Sequence, residues 1–206
     1  MDMPEHHRDQ VIRRVTVYAS SSNSLDSAYY DAASRLGALL GNAGIGIRYG
    51  GGGVGLMRSL ADAALQAGGH VHGVIPGFLN TVEHGHKSLS KLEVVADMRE
   101  RKHLMLLESN AVIALPGGSG TIEELFEVLT LKRLGQFLGP IILVNTRGYF
   151  NRCVEFLEYS VSERFMSAAH LDMWTLVDEP EQVIDAFRTS PVWPVHAATF
   201  ASVPKS

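Results

Sequence analysis

The junction between an apolar run and a helical pattern lies in Leu115-Pro116-Gly117-Gly118-Ser119-Gly120-Thr121-Ile122-Glu123-Glu124. Residues 111–115 are typical of a buried strand, and residues 122–134 have helical spacing. The glycines allow a tight turn and let a ligand approach the backbone closely. Because N–H groups at the start of a helix attract anions, this junction is typical of a phosphate-binding loop.

An acidic residue beside such a phosphate-binding loop is unexpected. A carboxylate at Glu123 or Glu124 would repel a phosphate held by the first turn of the helix. A protein that carries the carboxylate there is expected to use it in a reaction. The alternative interpretation is an ordinary acid in the first helical turn, or half of a capping box.

A second glycine-rich turn joins another predicted strand to a helix. Gly50, Gly52 and Gly55 fit the G-x-G-x-x-G pattern of dinucleotide-binding proteins. That pattern also requires an acid about 20 residues later, and the chain has no Asp or Glu between Asp62 and Glu83. The sequence therefore favours a mononucleotide over NAD or FAD. The lack of G-x-x-x-x-G-K-[ST] argues against a Walker-type triphosphatase.

Strand and helix patterns alternate along the chain. The predicted strands are 14–20, 45–49, 70–75, 92–95, 111–115, 141–144 and 174–177. The predicted helices are 27–43, 56–67, 98–109, 122–134, 149–163 and 179–188. This alternation predicts an α/β fold, a single Rossmann-like domain whose parallel sheet has helices on both faces.

Polar or glycine-rich turns follow three of these strands, at 20–24, 50–55 and 116–121. Because ligands of such sheets bind beyond the carboxyl ends of the strands, we expect the three turns to converge on one crevice. The domain is assigned to residues 13–188, after a flexible N-terminus of residues 1–12. Residues 189–206 lack periodicity and form a C-terminal tail.

The composition excludes several classes of protein. A chain of 206 residues fits one domain, and a net charge of −4 gives no general attraction to nucleic acid or to an anionic membrane. No apolar run has the length of a membrane span and the start has no signal-peptide core, so we expect a cytoplasmic location. Cys153 is expected to be a small core residue rather than a nucleophile.

The nine histidines do not predict a metal site. His70 and His72 share a strand, and His84 and His86 share a loop. Neither pair has a clear third ligand at suitable spacing, although Glu83 adjoins His84. We therefore expect that the protein holds no metal.

The segment Asp97-Met98-Arg99-Glu100-Arg101-Lys102-His103 is the densest charge cluster of the chain. The default interpretation is a solvated helix face. However, neighbouring residues of a helix point about 100° apart, so Arg101 and Lys102 cannot both face the same surroundings. One of them is expected to face the crevice, where arginine is well suited to grip phosphate or a carboxylate.

The pair Arg101-Lys102, followed fourteen residues after Lys102 by the Pro116-to-Glu124 motif, resembles the LONELY GUY family. The resemblance runs from about residue 14 to about residue 188 and includes Tyr49-Gly50-Gly51-Gly52 with Gly55-Leu56-Met57. The family usually has His two residues before the motif arginine, where this chain has Arg99. That departure leaves the Arg–Lys pair intact.

The resemblance implies an enzyme without a cofactor, a cytokinin riboside 5′-monophosphate phosphoribohydrolase. It would release a free base and ribose 5-phosphate from a nucleoside 5′-monophosphate. Arg101 and Glu124 match the essential pair of the family, with Glu123 as an alternative carboxylate. The candidate substrate-binding residues are Ser21, Gly51, Gly52, Glu83, Met98, Lys102, Gly117, Gly118, Ser119, Gly120, Thr121, Glu123 and Thr130.

The resemblance also implies at least a homodimer, with the sites near the interface. The older label of lysine decarboxylase is rejected, because no lysine lies in a recognisable setting for pyridoxal phosphate. The alternative function is a non-catalytic nucleotide-binding module or sensor on the same fold. The sequence leaves the base open between adenine and N6-prenylated adenine.

Overall fold

The structure is a computed structural model that describes residues 11–82 and 84–194. The candidate residue Glu83 lies outside the described residues, as do most of the predicted N-terminal segment and the tail beyond residue 194. The strands are β1 (Arg14–Tyr18), β2 (Gly46–Tyr49), β3 (Val71–Pro76), β4 (Lys91–Val95), β5 (Ala111–Ala114), β6 (Ile141–Val144) and β7 (Thr175–Val177).

Helices alternate with these strands along the chain. The α-helices are α1 (Ser27–Asn42), α2 (Gly55–Gln66), α3 (Gly77–Asn80), α4 (Met98–Leu106), α5 (Ser119–Arg133), α6 (Asn151–Ser162) and α7 (Val183–Thr189). Short 3-10 helices span Thr146–Gly148, Ala168–Met173 and Pro180–Gln182.

The strands form one sheet in the order β4-β3-β2-β1-β5-β6-β7, and every neighbouring pair is parallel. In the centre, Val17 of β1 lies opposite Tyr49 of β2 and Ile113 of β5. The strand order reverses between β1 and β5. In an open α/β sheet this is where a crevice forms at the carboxyl ends, so the topology places a ligand site beyond Tyr18 and Ala114.

Both faces of the sheet are covered by apolar side chains. Ile113 packs with Leu36 of α1 and Leu60 of α2 on one face. Val112 packs with Leu125 of α5 on the other face. The prediction of an α/β fold with a parallel sheet between two helical layers is therefore confirmed.

Several predicted boundaries are wrong for identifiable reasons. Helix α5 begins at Ser119 rather than at 122, because Gly118 is already extended (φ −75°, ψ −160°) and acts as the N-cap. Helix α4 ends at Leu106 rather than at 109. The Arg48 guanidinium donates to the carbonyls of Leu104 and Leu107 at this end of the helix. A side chain distant in sequence sets this second boundary, so local propensity does not contain it.

Two other segments differ from their predictions. The loop predicted over 76–90 contains the single-turn helix α3. The last predicted helix, 179–188, divides into the 3-10 turn Pro180–Gln182 and α7. Before the described chain ends, Trp193 is buried and donates from Nε1 to the carbonyl of Lys132 at 2.6 Å. The start of the predicted tail therefore packs on the domain itself.

Among the described residues, every helix is too short or too polar to cross a lipid bilayer.

Candidate functional site

A cavity of about 360 Å³ opens at the point where the strand order reverses. All three turns predicted to converge contribute to its lining, together with residues of α2, α4 and α5. The lining residues are Val17, Tyr18, Ala19, Ser20, Ser21, Ser22, Gly50, Met57, Met98, Arg101, Met105, Gly118, Ser119, Gly120, Thr121, Glu123 and Glu124.

The start of α5 forms one wall of this cavity. Within the described part of the chain, no side chain caps this helix, and Gly118 is its N-cap. The first N–H groups of an α-helix have no partner within the helix. Because Gly118, Ser119, Gly120 and Thr121 line the cavity, the electrostatics of this helix start favour an anion there.

The second glycine-rich turn also has a structural role at the start of α2. The N–H groups of Leu56 and Met57, at the start of α2, donate to the carbonyl of Ser20 at 2.9 and 3.3 Å. The N–H of Gly55 donates to Oδ1 of Asn23 at 2.9 Å. These protein acceptors take the place of an anion, so the turn joins α2 to the loop after β1.

Arg101 projects from α4 into the cavity. It is 5% exposed, and its Nη2 donates to the carbonyl of Gly50 at 3.1 Å. Nη1 lies 3.8 Å from the Met98 sulfur. A β-carbon added at Gly50 would lie only 2.1 Å from Nη2, so glycine at this position makes room for the guanidinium.

Helix α4, which carries Arg101, is fixed at its start by a reciprocal pair of hydrogen bonds. Asp97 accepts from the N–H of Glu100 at 2.9 Å, and the Glu100 carboxylate accepts from the N–H of Ala96 at 2.9 Å. The Arg48 contacts fix its other end. A helix of nine residues has little stability alone, so these two ends position the catalytic candidate that it carries.

Two carboxylates of α5, Glu123 and Glu124, line the cavity. Glu123 accepts from the Lys102 ammonium at 2.6 Å, and Glu127 on the next turn accepts from the same ammonium at 2.8 Å. These carboxylates raise the pKa of Lys102, with Glu123 as the larger cause. Lys102 therefore holds Glu123 from the side of α4, and Glu123 and Glu124 both remain candidates to act on a ligand in the first cavity.

Arg101 and Lys102 face different cavities, as their helical spacing predicts. Lys102 lines a second cavity of about 650 Å³ between α4 and α5, and it does not line the first. Tyr18, at the end of β1, lines both cavities and is 5% exposed. Burial, followed by the charges of Glu124, Glu127 and Glu123, raises the pKa of the Tyr18 phenol well above its usual range.

The remaining candidates divide between the cavity and its surroundings. Ser21 and Met98 line the cavity. The Gly117 carbonyl instead accepts a hydrogen bond from the Tyr149 hydroxyl. Gly51 packs near Ile75 and Leu92.

Two further candidates lie away from the cavity lining. Gly52 forms an isolated bridge with Gly85. Thr130 is exposed on α5 and donates to the carbonyl of Phe126 at 2.8 Å. For Thr130, helical rotation gives the physical reason, because its position on α5 faces away from the wall formed by Glu124.

Several residues that line the cavity are absent from the predicted site, Tyr18 and Met105 among them. Tyr18 is the last residue of β1, and the carboxyl end of a central parallel strand is itself a signal for a site. Met105 lies four residues after Arg101 on α4, so both share one helix face. Both positions are therefore predictable from the bounds of the strand and the helix.

Two of the four histidines named above as possible metal ligands contact an acid. His72 Nε2 lies 3.0 Å from Glu93, and His86 Nε2 lies 2.8 Å from Asp62. In residues 11–82 and 84–194, no group of three or more His, Cys, Asp or Glu side chains is arranged to hold a metal ion. Burial raises the pKa of the Cys153 thiol, which lowers its reactivity as a nucleophile.

Comparison with known proteins finds a matching family model and several similar enzymes. The family model described as "Possible lysine decarboxylase" matches residues 57–187. The chain is 43% identical over 155 residues to a cytokinin riboside 5′-monophosphate phosphoribohydrolase of Arabidopsis thaliana, covering 75% of this chain and 72% of the relative. It is 38% identical over 178 residues to the enzyme of that name from Rhodococcoides fascians, covering 86% of this chain and 90% of the relative.

Among solved structures, the molybdenum cofactor carrier protein of Chlamydomonas reinhardtii shares the fold. The TM-score is 0.66 at 21% identity, covering 85% of this chain and 96% of that chain. At this identity the likeness concerns the fold alone.

Proposed function

Since the chain belongs to the LONELY GUY family, we propose that it hydrolyses the N-glycosidic bond of adenosine 5′-monophosphate or of an N6-modified derivative. The products are the free base, adenine or a cytokinin, and ribose 5-phosphate. One observation carries this proposal: the uncapped start of α5 opens into the same cavity as Arg101 and Glu124. An anion site and a carboxylate would thus both contact a molecule bound in this cavity.

The 5′-phosphate binds at the start of α5, where backbone N–H groups and the helix dipole favour a dianion. Ser119 and Thr121 add hydroxyl donors to the same wall. This contact lies away from the bond that breaks. Its binding energy positions the ribose and thereby contributes to the rate at C1′.

The reaction breaks the bond between C1′ and the base nitrogen. The base leaves with the electron pair, C1′ gains positive charge, and the oxygen of a water molecule bonds to C1′. One water proton is lost and the base is protonated, so atoms and charge balance. The transition state resembles an oxocarbenium ion, as in other glycoside hydrolyses.

Glu124 stabilises the positive charge at C1′ and orients the water. A carboxylate inside a cavity is effective here, because electrostatic attraction increases where water is displaced. Glu123 is the alternative for this role. Its side chain contacts the Lys102 ammonium at 2.6 Å, and Glu124 is the residue that matches the essential pair of the family.

Arg101 binds substrate or keeps the Glu124 carboxylate ionised and oriented. The guanidinium stays protonated and so does not serve as an acid. Its burial at 5% exposure and its contact with Gly50 fix its direction. The base would lie toward Met57, Met98 and Met105, whose flexible side chains adapt to different apolar groups.

The first test is product formation from AMP and from isopentenyladenosine monophosphate, with free base and ribose 5-phosphate measured by chromatography. We expect wild type to release both products and Glu124→Gln to lower kcat by about 100-fold or more. Glu127→Gln is the matched control, because Glu127 lies on the same helix but lines the second cavity. Loss of activity in Glu123→Gln, with Glu124→Gln fully active, would transfer the role to Glu123.

The alternative, a nucleotide-binding module, makes a different prediction. A binder gains stability from AMP and leaves it intact. If AMP raises the melting temperature of wild type while neither substrate releases base, the hydrolase proposal is wrong. The positive result requires base release that depends on Glu124 or on Glu123, because a contaminating enzyme would be unaffected by either substitution.

We also propose a homodimer with cytoplasmic location, and no nucleic acid or membrane partner. Membership of the family supports the homodimer, and sedimentation velocity at several concentrations tests it. The net charge of −4 supports the absence of a general affinity for polyanions. A persistent monomer over the full concentration range would contradict the dimer.

A further inference from the structure

Tyr149 contacts the glycine turn that leads into α5 from outside the cavity. It follows β6 and the 3-10 turn Thr146–Gly148, and its hydroxyl donates to the carbonyl of Gly117. The two residues are 32 positions apart in sequence. Tyr149 does not line the cavity, so it acts on the loop and not on a ligand.

Aromatic neighbours fix the Tyr149 ring. Its centroid lies 6.2 Å from that of Tyr29 and 5.2 Å from that of Phe150, with interplanar angles of 83° and 90°. Both are edge-to-face arrangements, which are favourable for aromatic pairs. The hydroxyl is therefore presented to Gly117 by a ring held from α1 and from its own segment.

The hydrogen bond to the Gly117 carbonyl determines the direction of the next N–H. A trans peptide is planar, so the carbonyl of Gly117 and the N–H of Gly118 point in opposite directions from one rigid unit. The carbonyl points to Tyr149, and the N–H accordingly points away from Tyr149. Gly118 lines the cavity and Gly117 does not.

The flanking residues do not fix this peptide by themselves. Glycine has a wide choice of backbone angles, so a peptide between two glycines rotates at low cost. Gly117 is packed against Thr121, since an added β-carbon would lie 2.2 Å from Oγ1 of Thr121. This contact limits the position of Gly117, and the Tyr149 hydroxyl selects the orientation of its carbonyl.

We propose that Tyr149 is a positioning residue that holds the peptide between Gly117 and Gly118, so that the Gly118 N–H is aimed at a bound phosphate. The inference rests on the proposed function, because it deepens the role of the same anion site. A preoriented N–H donor to a charged oxygen contributes more than one that must first be ordered.

The test is Tyr149→Phe, which removes the hydroxyl and keeps the ring against Tyr29 and Phe150. The dissociation constants of ribose 5-phosphate, inorganic phosphate and adenosine are measured by calorimetry. We expect the two phosphate-bearing ligands to bind about tenfold more weakly and adenosine to bind as to wild type. In turnover of AMP, KM rises by a similar factor while kcat changes little.

Tyr159→Phe is the matched control, because Tyr159 is 60% exposed on α6. It should leave all three dissociation constants unchanged. A general structural role for Tyr149 would weaken adenosine as well and lower the melting temperature. Equal loss for adenosine and ribose 5-phosphate, or no loss for either, overturns the proposal.

Binding and turnover separate this proposal from the hydrolase itself. If wild type binds ribose 5-phosphate and Tyr149→Phe weakens it, the positioning role stands even where no base is released from AMP. If wild type binds neither ribose 5-phosphate nor inorganic phosphate, the anion site is wrong and the role of Tyr149 falls with it.

Discussion

The guanidinium of Arg101 occupies the space that a side chain at position 50 would fill. A β-carbon on Gly50 would lie 2.1 Å from Nη2 of Arg101 and 3.2 Å from its Cζ. The same Nη2 donates to the Gly50 carbonyl at 3.1 Å. The turn after β2 therefore provides both the space for the Arg101 guanidinium and a hydrogen-bond acceptor for it.

Gly50→Ala is expected to displace the Arg101 side chain without unfolding the domain. A contact of 2.1 Å cannot be tolerated, and the guanidinium is the end of a long side chain that can move away. We expect kcat/KM for AMP to fall about 10- to 100-fold, or ~1–3 kcal/mol in transition-state stabilisation. Steady-state rates measured over AMP concentrations from below KM to above it give this loss.

Gly46→Ala is the control for this substitution. Gly46 is the first residue of β2, the strand that precedes Gly50, and the nearest atom to an added β-carbon there is 3.6 Å away. Activity should stay within about twofold of wild type, since the contact is ordinary. Full activity in Gly50→Ala would show that Arg101 tolerates displacement and is not essential.

The Rossmann-like architecture follows from the sequence because its signals are local. Apolar runs such as residues 111–114 are buried on both faces of the sheet, and Gly or polar turns end them. The switch point is predictable as well, since parallel strands bring their carboxyl ends together. The resemblance to the LONELY GUY family, rather than local pattern, selects Arg101 and Glu124, and both line one cavity.

The function of the glycine turn at 50–55 was not predictable from its pattern. The pattern G-x-G-x-x-G describes backbone freedom, and the same freedom serves a phosphate or another loop. The first N–H groups of α2, which follow this turn, donate to the Ser20 carbonyl, which is distant in sequence and becomes a neighbour only in the folded protein. For the same reason, local sequence does not predict where α4 ends, because the side chain that binds its last carbonyls, Arg48, is distant in sequence.

Gly55→Ala is expected to destabilise the protein more than an ordinary glycine substitution. Gly55 has φ of +61°, and an added β-carbon would lie 2.5 Å from the backbone carbon of Ser21. Backbone atoms cannot move aside as a flexible side chain does, so α2 must separate from the loop after β1. We expect the free energy of unfolding to fall by about 3 kcal/mol or more.

Gly44→Ala isolates the strain component of that loss. Gly44 has φ of +67°, but an added β-carbon would meet no atom within 4 Å. Its cost should be about 1–2 kcal/mol, from backbone conformation alone. Urea unfolding of both variants measures the difference, and equal losses would show that the loop after β1 yields to the new side chain.

Lys132 is expected to make stability depend on pH. It is 1% exposed and its ammonium donates to the carbonyl of Gly139 at 2.7 Å. Burial lowers the pKa of Lys132 from 10.5 to about 8. Below about pH 8 the amine is protonated in both states, so its burial cost is constant there. Above it the folded protein releases the proton first, and the unfolded chain binds more protons until about pH 10.5.

Stability of wild type relative to Lys132→Met must therefore increase as pH rises through this window. The gain should be on the order of 3 kcal/mol between about pH 7 and about pH 10.5, because methionine cannot titrate. Urea unfolding followed by tryptophan fluorescence measures it, since Trp193 donates to the Lys132 carbonyl. Lys91→Met, at an exposed lysine, controls for the loss of one positive charge. A difference between wild type and Lys132→Met that stays constant with pH would mean that the buried amine remains charged in the folded protein.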